Sequence, residues 1–154
     1  MTRAMVPVRI EDGRAADAEA VARLVREVYQ PFTADFRPTA LKWTAEALHD
    51  CADSWLLARS DTGLLGAVRH GPDPEGYTLD TLSVAPSWRR QGVGSRLAAA
   101  VQERAAASGA RQLIIAVRDS LAVNVAFFTS LGYRRERPFP PHHHVFTKEI
   151  GSPQ

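Results

Sequence analysis

A strand that runs into a proline, then a basic turn with two glycines, then a helix start constrains this chain more than any other feature. The segment reads Val84-Ala85-Pro86-Ser87-Trp88-Arg89-Arg90-Gln91-Gly92-Val93-Gly94-Ser95-Arg96-Leu97. Pro86 cannot donate to a sheet ladder, and Gly92 and Gly94 leave room for main chain to approach a ligand closely. The amides that open the next helix lack intrahelical acceptors and lie at the positive end of its dipole. Such a junction is an anion site suited to phosphate or pyrophosphate, with Arg89 and Arg90 adding fixed charge beside it. The segment lacks the Gly-Lys-Ser/Thr of a P-loop. It also lacks the third glycine and the later acid of a dinucleotide fingerprint.

The rest of the chain bounds the setting. Its 154 residues, 45% of them hydrophobic, suffice for one domain with one core, expected over residues 1–154 with an ordered part at about 6–150. No apolar run is long enough to span a bilayer, and Met1–Ile10 has no signal-segment pattern, so no membrane partner is expected and cytoplasm is the expected compartment. A net charge of +2 is too small to argue for nucleic acid. The single cysteine, Cys51, cannot form an internal disulfide and reads as a small buried apolar residue of a helix.

Periodicity predicts a strand at Val6–Glu11 and a helix capped by Asp17 with Val21, Leu24, Val25 and Val28 in one apolar stripe. Pro31–Pro38 is expected as a loop and Leu41–Cys51 as a second short helix. Strands follow at Ser54–Arg59 and Leu64–His70 around a Ser60–Gly63 turn. Gly71–Gly76 reads as a chain break before the strand Tyr77–Val84. A helix over Gly92–Ser108 turns Val93, Leu97, Ala100 and Val101 inward. A strand at Gln112–Val117, a helix at Leu121–Leu131 and a strand at His143–Ile150 complete the chain. Alternating strands and helices without repeats predict a mixed α/β layer structure.

The run Arg89-Arg90-Gln91-Gly92-Val93-Gly94 resembles the acyl-CoA motif Arg/Gln-x-x-Gly-x-Gly/Ala of the GCN5-related N-acetyltransferases (GNAT). Tyr77–Val84 upstream and Asn124-Val125-Ala126-Phe127-Phe128-Thr129-Ser130-Leu131-Gly132-Tyr133 downstream stand where that family has its other motifs. The resemblance implies the GNAT acyl-CoA N-acyltransferase fold: a central, mostly antiparallel sheet with a splayed parallel strand pair, flanked by about four helices. It implies acetyl-CoA as cosubstrate, no metal, and an amine of a small molecule or peptide as acceptor. A homodimer is a candidate assembly.

Carried onto this sequence, the resemblance implies that the main chain of Leu82, Ser83 and Val84 binds the pantetheine and acetyl groups. The amides of Gln91, Gly92, Val93, Gly94 and Ser95, with Arg89 and Arg90, would bind the pyrophosphate. An amide near Val84 would stabilise the oxyanion formed when an amine attacks the thioester. Catalysis then rests on proximity, deprotonation of the ammonium and exit of the thiolate. Asp80 is the candidate base, sharing a face with Leu82 and Val84 by strand alternation; the alternative is that it orients a water or pairs with an arginine.

Two positions depart from the common family pattern. Phe128 stands where many members carry a tyrosine that protonates the leaving thiolate, and Tyr133 replaces it only if its ring turns back to the sulfur. A thiol of pKa about 8.5 is a tolerable leaving group without help. Asn124 lies four residues before Phe128, closer than in the commonest motif; with Phe127 and Phe128 it is expected against the pantetheine arm, the alternative being a helix-surface or capping asparagine.

Tyr29, Phe32, Phe36 and Trp43 are candidates for the wall of the acceptor pocket or for structural packing. In His142-His143-His144 only alternate residues share a strand face, and no nearby acid or cysteine completes a metal set. A polar strand entrance near the acceptor fits better. Two other functions remain open from the sequence: an acyl-CoA-binding sensor module with little turnover, and an unrelated nucleotide-binding enzyme with the same turn.

Overall fold

Hydrophobic alternation and the single apolar stripe of the first helix translate directly into secondary structure. The computed structural model describes residues 7–151. Its strands are β1 (Arg9–Asp12), β2 (Trp55–Ser60), β3 (Gly63–Asp73), β4 (Gly76–Val84), β5 (Gln112–Arg118), β6 (Arg134–Phe139) and β7 (His143–Glu149). Its helices are α1 (Ala18–Tyr29), α2 (Ala45–His49), α3 (Val93–Ala107) and α4 (Ala122–Ser130). Hydrogen-bonded strands follow the order β1-β2-β3-β4-β5-β7-β6, a mixed sheet whose β4/β5 pair is parallel. The start expected for the first strand, Val6, lies outside the described residues.

The chain gathers into two compact units, one running through Arg69 and resuming at Thr81–Ala100, the other formed by His70–Asp80 and the chain from Val101. In the first, β1 pairs antiparallel with β2, and β2 with β3. Val21, Leu24, Val25 and Val28 of α1 are buried with Leu48 of α2 and with Trp55, Leu57 and Ala67 of the sheet. Burying each such side chain is worth about 1.5–3 kcal/mol. Asp17 holds the N-cap position of α1 without capping the helix: its carboxylate accepts from the Arg14 amide at 2.9 Å and pairs with Arg59.

The helix expected over Leu41–Cys51 is broken. A 3-10 turn at Thr39–Lys42 precedes α2, which starts late because Thr44 caps it, its hydroxyl accepting from the Ala47 amide at 3.2 Å. Cys51 therefore sits half-buried in the turn after α2, its thiol donating to the Ala47 carbonyl at 3.4 Å. The loop expected at Pro31–Pro38 begins instead inside a 3-10 turn over Gln30–Ala34, with Pro31 near its start. In α3, Val93, Leu97 and Val101 face inward as expected, whereas Ala98 is buried and Ala100 only half-buried.

In the second unit, the break expected at Gly71–Gly76 shrinks to the turn at Pro74–Glu75. β3 runs on through Pro72, past Arg69 where its pairing with β2 ends. β5 pairs parallel with β4 at Tyr77↔Leu113 and Thr78↔Ile114 and antiparallel with β7 along its full length. Gly76, at φ +154°, keeps these strands close: a Cβ there would stand 2.6 Å from the Gln112 carbonyl oxygen. β6 carries no hydrophobic alternation that would announce it. Its sequence, Arg134-Arg135-Glu136-Arg137-Pro138-Phe139, is exposed throughout, and it pairs only with β7 at the sheet edge.

Candidate active site

The turn and the strand segment Leu82–Val84 before it, where the donor-side groups are expected, lie within the first unit. After Val84 the Ala85 amide donates to the Leu65 carbonyl at 2.8 Å, and Pro86–Trp88 forms a 3-10 turn. The chain then passes through Arg90 at φ +61° and Gly92 at φ +82°. A Cβ at Gly92 would meet nothing within 4 Å, so the main chain there is open to a ligand. The Arg96 amide makes the first bond of the α3 ladder, to the Gly92 carbonyl at 3.0 Å. The amides of Val93, Gly94 and Ser95 precede it and have no carbonyl one turn back. Arg89 and Arg90 are exposed beside them, and Gln91 turns its amide back to the Ser87 carbonyl at 3.1 Å. Open amides, two guanidiniums and an uncrowded glycine fit a diphosphate.

A residue that sequence reasoning missed seats this turn. Gly66 lies mid-strand in β3, and a Cβ there would stand 3.0 Å from Leu97 Cδ1, from Val93 Cγ1 and from the Ser83 carbonyl oxygen. The bare backbone lets the first turn of α3 rest directly on the strands. An isolated glycine inside an apolar strand pattern was the available signal.

Strand β4 is not regular through the expected binding segment. Thr81 has φ +52°, a conformation costly for a β-branched residue, and it falls between Asp80 and Leu82. Simple alternation therefore does not carry from Asp80 to Leu82 and Val84, and the single strand face expected for the three is interrupted. Ser83 is fully buried, its hydroxyl donating to the Thr81 carbonyl at 3.2 Å; Leu82 and Val84 are half-buried. The Tyr29 hydroxyl donates to the Leu82 carbonyl at 3.0 Å, tying the end of α1 to this strand. Tyr29, Phe32 and Phe36 form a train of rings with centroids 6.5 and 6.0 Å apart, whereas Trp43 packs edge-on against Trp55 at 5.5 Å with Arg69 over its ring.

The remaining candidates lie in the second unit. Asn124 sits half-buried in the first turn of α4, whose cap position is Leu121, so it does not cap the helix. Phe127 packs edge-on against Phe128 at 5.0 Å, and Phe128 edge-on against Tyr133 at 5.3 Å. The Leu131-Gly132-Tyr133 triplet is a helix stop. Gly132 takes φ +95°, its amide donates to Thr129, and the Tyr133 amide donates to Phe128 at 3.0 Å. This is the Schellman arrangement, in which the two residues at its ends, here Phe128 and Tyr133, make the accompanying apolar contact. Tyr133 is 3% exposed, and among the described residues its hydroxyl has no hydrogen-bond partner. Burial pushes its pKa well above the usual tyrosine value, so the hydroxyl keeps its proton.

The last strand opens at His143 as expected, but an acid does stand near the histidine run: His144 Nδ1 lies 2.6 Å from Asp119 Oδ1. Among the described residues no three His, Cys, Asp or Glu side chains are grouped to hold a metal ion. No helix among them is long and apolar enough to cross a membrane.

No curated protein matches the chain. Solved structures share its fold. PaiA N-acetyltransferase from Thermoplasma acidophilum, in complex with coenzyme A, superposes with a TM-score of 0.84 at 16% identity, over 94% of this chain and 99% of that one. An acetyltransferase from Thermus thermophilus gives 0.74 at 21% identity, over 95% and 100%. N-acetylglutamate synthase from Neisseria gonorrhoeae, complexed with coenzyme A and N-acetyl-glutamate, gives 0.76 at 17% identity, but the 96% of this chain that aligns covers only 36% of the synthase. The profile of the acetyltransferase (GNAT) family matches residues 19–133, which span the turn before α3, the strand that precedes it and the Leu-Gly-Tyr helix stop, and the chain belongs to that family.

Proposed function

We propose that this protein transfers an acetyl group from acetyl-CoA to a primary amine of a small molecule or peptide, by direct attack in a ternary complex, with residues 1–154 acting as one catalytic domain. The observation that carries the proposal is the turn before α3, where Gly92 at φ +82° leaves open main chain at a helix N-terminus flanked by Arg89 and Arg90. The amides of Gln91–Ser95 hold the pyrophosphate, and the main chain of Leu82–Val84 holds the pantetheine. Acetyl-CoA supplies the activated acyl group. Tyr29, through its bond to the Leu82 carbonyl, sets the conformation of that strand segment, and Phe32 contributes an apolar wall to the acceptor.

Asp80 accepts the proton of the incoming ammonium, directly or through a water, and an amide near Val84 carries the charge that develops on the thioester oxygen. Asn124 and Phe127 line the thiol arm beside Phe128. Phe128 has no proton to give, so the nearest reserve is the Tyr133 hydroxyl, kept protonated by burial. Thiol release from acetyl-CoA in the presence of a broad amine panel tests the reading. Acetylated product with any amine supports it. Tight acetyl-CoA binding without turnover on any amine would replace it with an acyl-CoA-binding module, and equal binding of ATP or NAD would remove it.

A further inference from the structure

Strand β5 is internal to the sheet, and its apolar run Leu113-Ile114-Ile115-Ala116-Val117 is that of a strand covered on both faces. Leu113, Ile115 and Val117 on one face are 0%, 5% and 4% exposed, and Ile114 on the other is 9% exposed. Ala116 shares the face of Ile114, yet it is exposed. One face of the sheet is therefore open over a single small side chain.

The packing of this unit explains the opening. Lys148 of β7 stands opposite Leu113, donates to Gln102 of α3 at 2.9 Å and lies 3.5 Å from where a Cβ on Gly132 would stand. Hence α3 and the end of α4 lie on the Leu113 face. The other face is covered toward the start of β5 by side chains from β6. Glu136 accepts from the hydroxyl of Thr147, which stands opposite Ile114. Arg137 stands opposite Val145, itself opposite Ala116, but its guanidinium runs back to Glu75 at 2.9 Å, where Gln112 bonds the Glu75 carbonyl. The cover thus stops short of Ala116.

The register places two further groups around this floor. β4 pairs with β5 at Thr78↔Ile114, so Asp80, two residues on and just before the left-handed Thr81, lies on the face and at the level of Ala116. Beyond it, on the same face, Phe139 of β6 stands opposite His143 of β7, 55% exposed, its ring edge-on to the imidazole at 6.4 Å. Ala116 and Phe139 are two strand spacings apart, about 10 Å across the sheet. The open surface thus has an alanine methyl as its floor, a phenyl ring at its outer rim and a carboxylate on the neighbouring strand.

Resting on the acetyltransferase reading above, we propose that Ala116 is the floor of the acceptor subsite and sets its specificity: this face takes a primary amine carried on an apolar body about the size of one ring, with the nitrogen toward Asp80. Because the side chain ends at a methyl, such a body lies flat against β5. Contact with the methyl and with the Phe139 ring removes apolar surface from water on both partners. A charged tail gains nothing from that floor and loses hydration over it.

The test uses the full chain, acetyl-CoA and three primary amines: ethylamine, phenethylamine and putrescine, a diamine of similar length. The expected result is a kcat/KM for phenethylamine about tenfold or more above that of either other amine. Tenfold is about 1.4 kcal/mol, which burial of about 60 Å² of apolar surface supplies. Ala116→Leu, which fills the floor, should lower the ratio of phenethylamine to ethylamine about tenfold, chiefly by raising KM for phenethylamine, with the acetyl-CoA dissociation constant unchanged by calorimetry. Ala116→Val, whose side chain suits a strand, should lower that ratio about threefold and serves if Ala116→Leu does not fold. A wild type that acetylates amines without favouring phenethylamine would overturn the inference while leaving acetyl transfer intact. A ratio left unchanged by the substitutions would also overturn it. No turnover with any amine would remove the transferase reading itself, and the subsite with it.

Discussion

Two helix ends in this molecule each turn on a glycine in the left-handed region, and they do opposite things. At the start of α3, Gly92 at φ +82° faces open space and leaves a set of amides free for a ligand. At the end of α4, Gly132 at φ +95° folds the chain back so that the Gly132 and Tyr133 amides satisfy the last carbonyls, and Phe128 and Tyr133 close over the junction. The difference follows from helix polarity and from the neighbours. Unpaired donors flanked by exposed arginines make an anion site, whereas unpaired acceptors flanked by aromatic rings are closed by their own chain. One end is built for binding and the other for packing.

If that division holds, substitutions should separate ligand effects from stability effects. The largest change is expected from neither glycine but from the proposed base: Asp80→Asn should lower turnover about a hundredfold with the acetyl-CoA dissociation constant nearly unchanged, read by steady-state kinetics alongside calorimetry. A parallel loss of acetyl-CoA affinity would instead assign Asp80 to the structure of β4.

Gly92→Val should weaken acetyl-CoA binding by at least about tenfold, because a β-branched side chain neither adopts φ +82° nor leaves room for the diphosphate. The melting temperature without ligand should fall as well, since a side chain at φ +82° is strained even where nothing packs around it, so the affinity of the folded variant is the deciding measurement. Unchanged affinity would break the comparison at its first half. Gly132→Ala should cost about 1–2 kcal/mol of stability for the left-handed conformation while leaving acetyl-CoA affinity intact. A Cβ there would meet only the Lys148 side chain at 3.5 Å, so the cost is conformational and not a clash.

Tyr133→Phe sharpens the second half. It removes a buried hydroxyl that has no partner among the described residues, so stability should hold or rise slightly. Turnover should fall by less than about tenfold if the thiolate leaves unaided, and about a hundredfold if this hydroxyl is the donor. The packed geometry against Phe128 favours the smaller effect.

The smallest effect is electrostatic. His143 has a lowered pKa, caused by burial and by Arg118, so the folded state binds its proton less well than the unfolded chain does. Its contribution to stability is therefore complete above the ordinary histidine value near 6.5 and declines as pH falls below it. Chemical denaturation of His143→Gln should show a shallower loss between neutral and mildly acidic pH than the wild type. Identical profiles would show that the His143 imidazole binds its proton equally well in the folded and unfolded chain.

Much of this was legible before the fold was known, and unevenly. The stripe Val21, Leu24, Val25, Val28 predicted α1 and its buried face, because helical periodicity survives any tertiary context that has a core to offer. The turn from Pro86 to Ser95 could be read as an anion site because its chemistry belongs to the main chain, and glycine and proline report backbone geometry directly. β6 was invisible, since an exposed, arginine-rich edge strand exists only by pairing with β7. Gly66 and Thr81 were missed as well. One is required by the close approach of α3 and the other adopts a left-handed conformation that its own side chain disfavours.

What the chain's local chemistry settles by itself is the order of its strands and helices apart from β6, the position of the turn before α3 and the family these place it in, because each depends on residues near one another in sequence. Tertiary structure alone decided that Tyr133 packs as the closing contact of a helix stop, that Tyr29 reaches the carbonyl of Leu82, and that Arg118 and His143 stand opposite each other across β5 and β7. Each of these depends on which strand lies beside which and in what register, and a shift of one residue in any pairing would send the same side chains to the other face of the sheet.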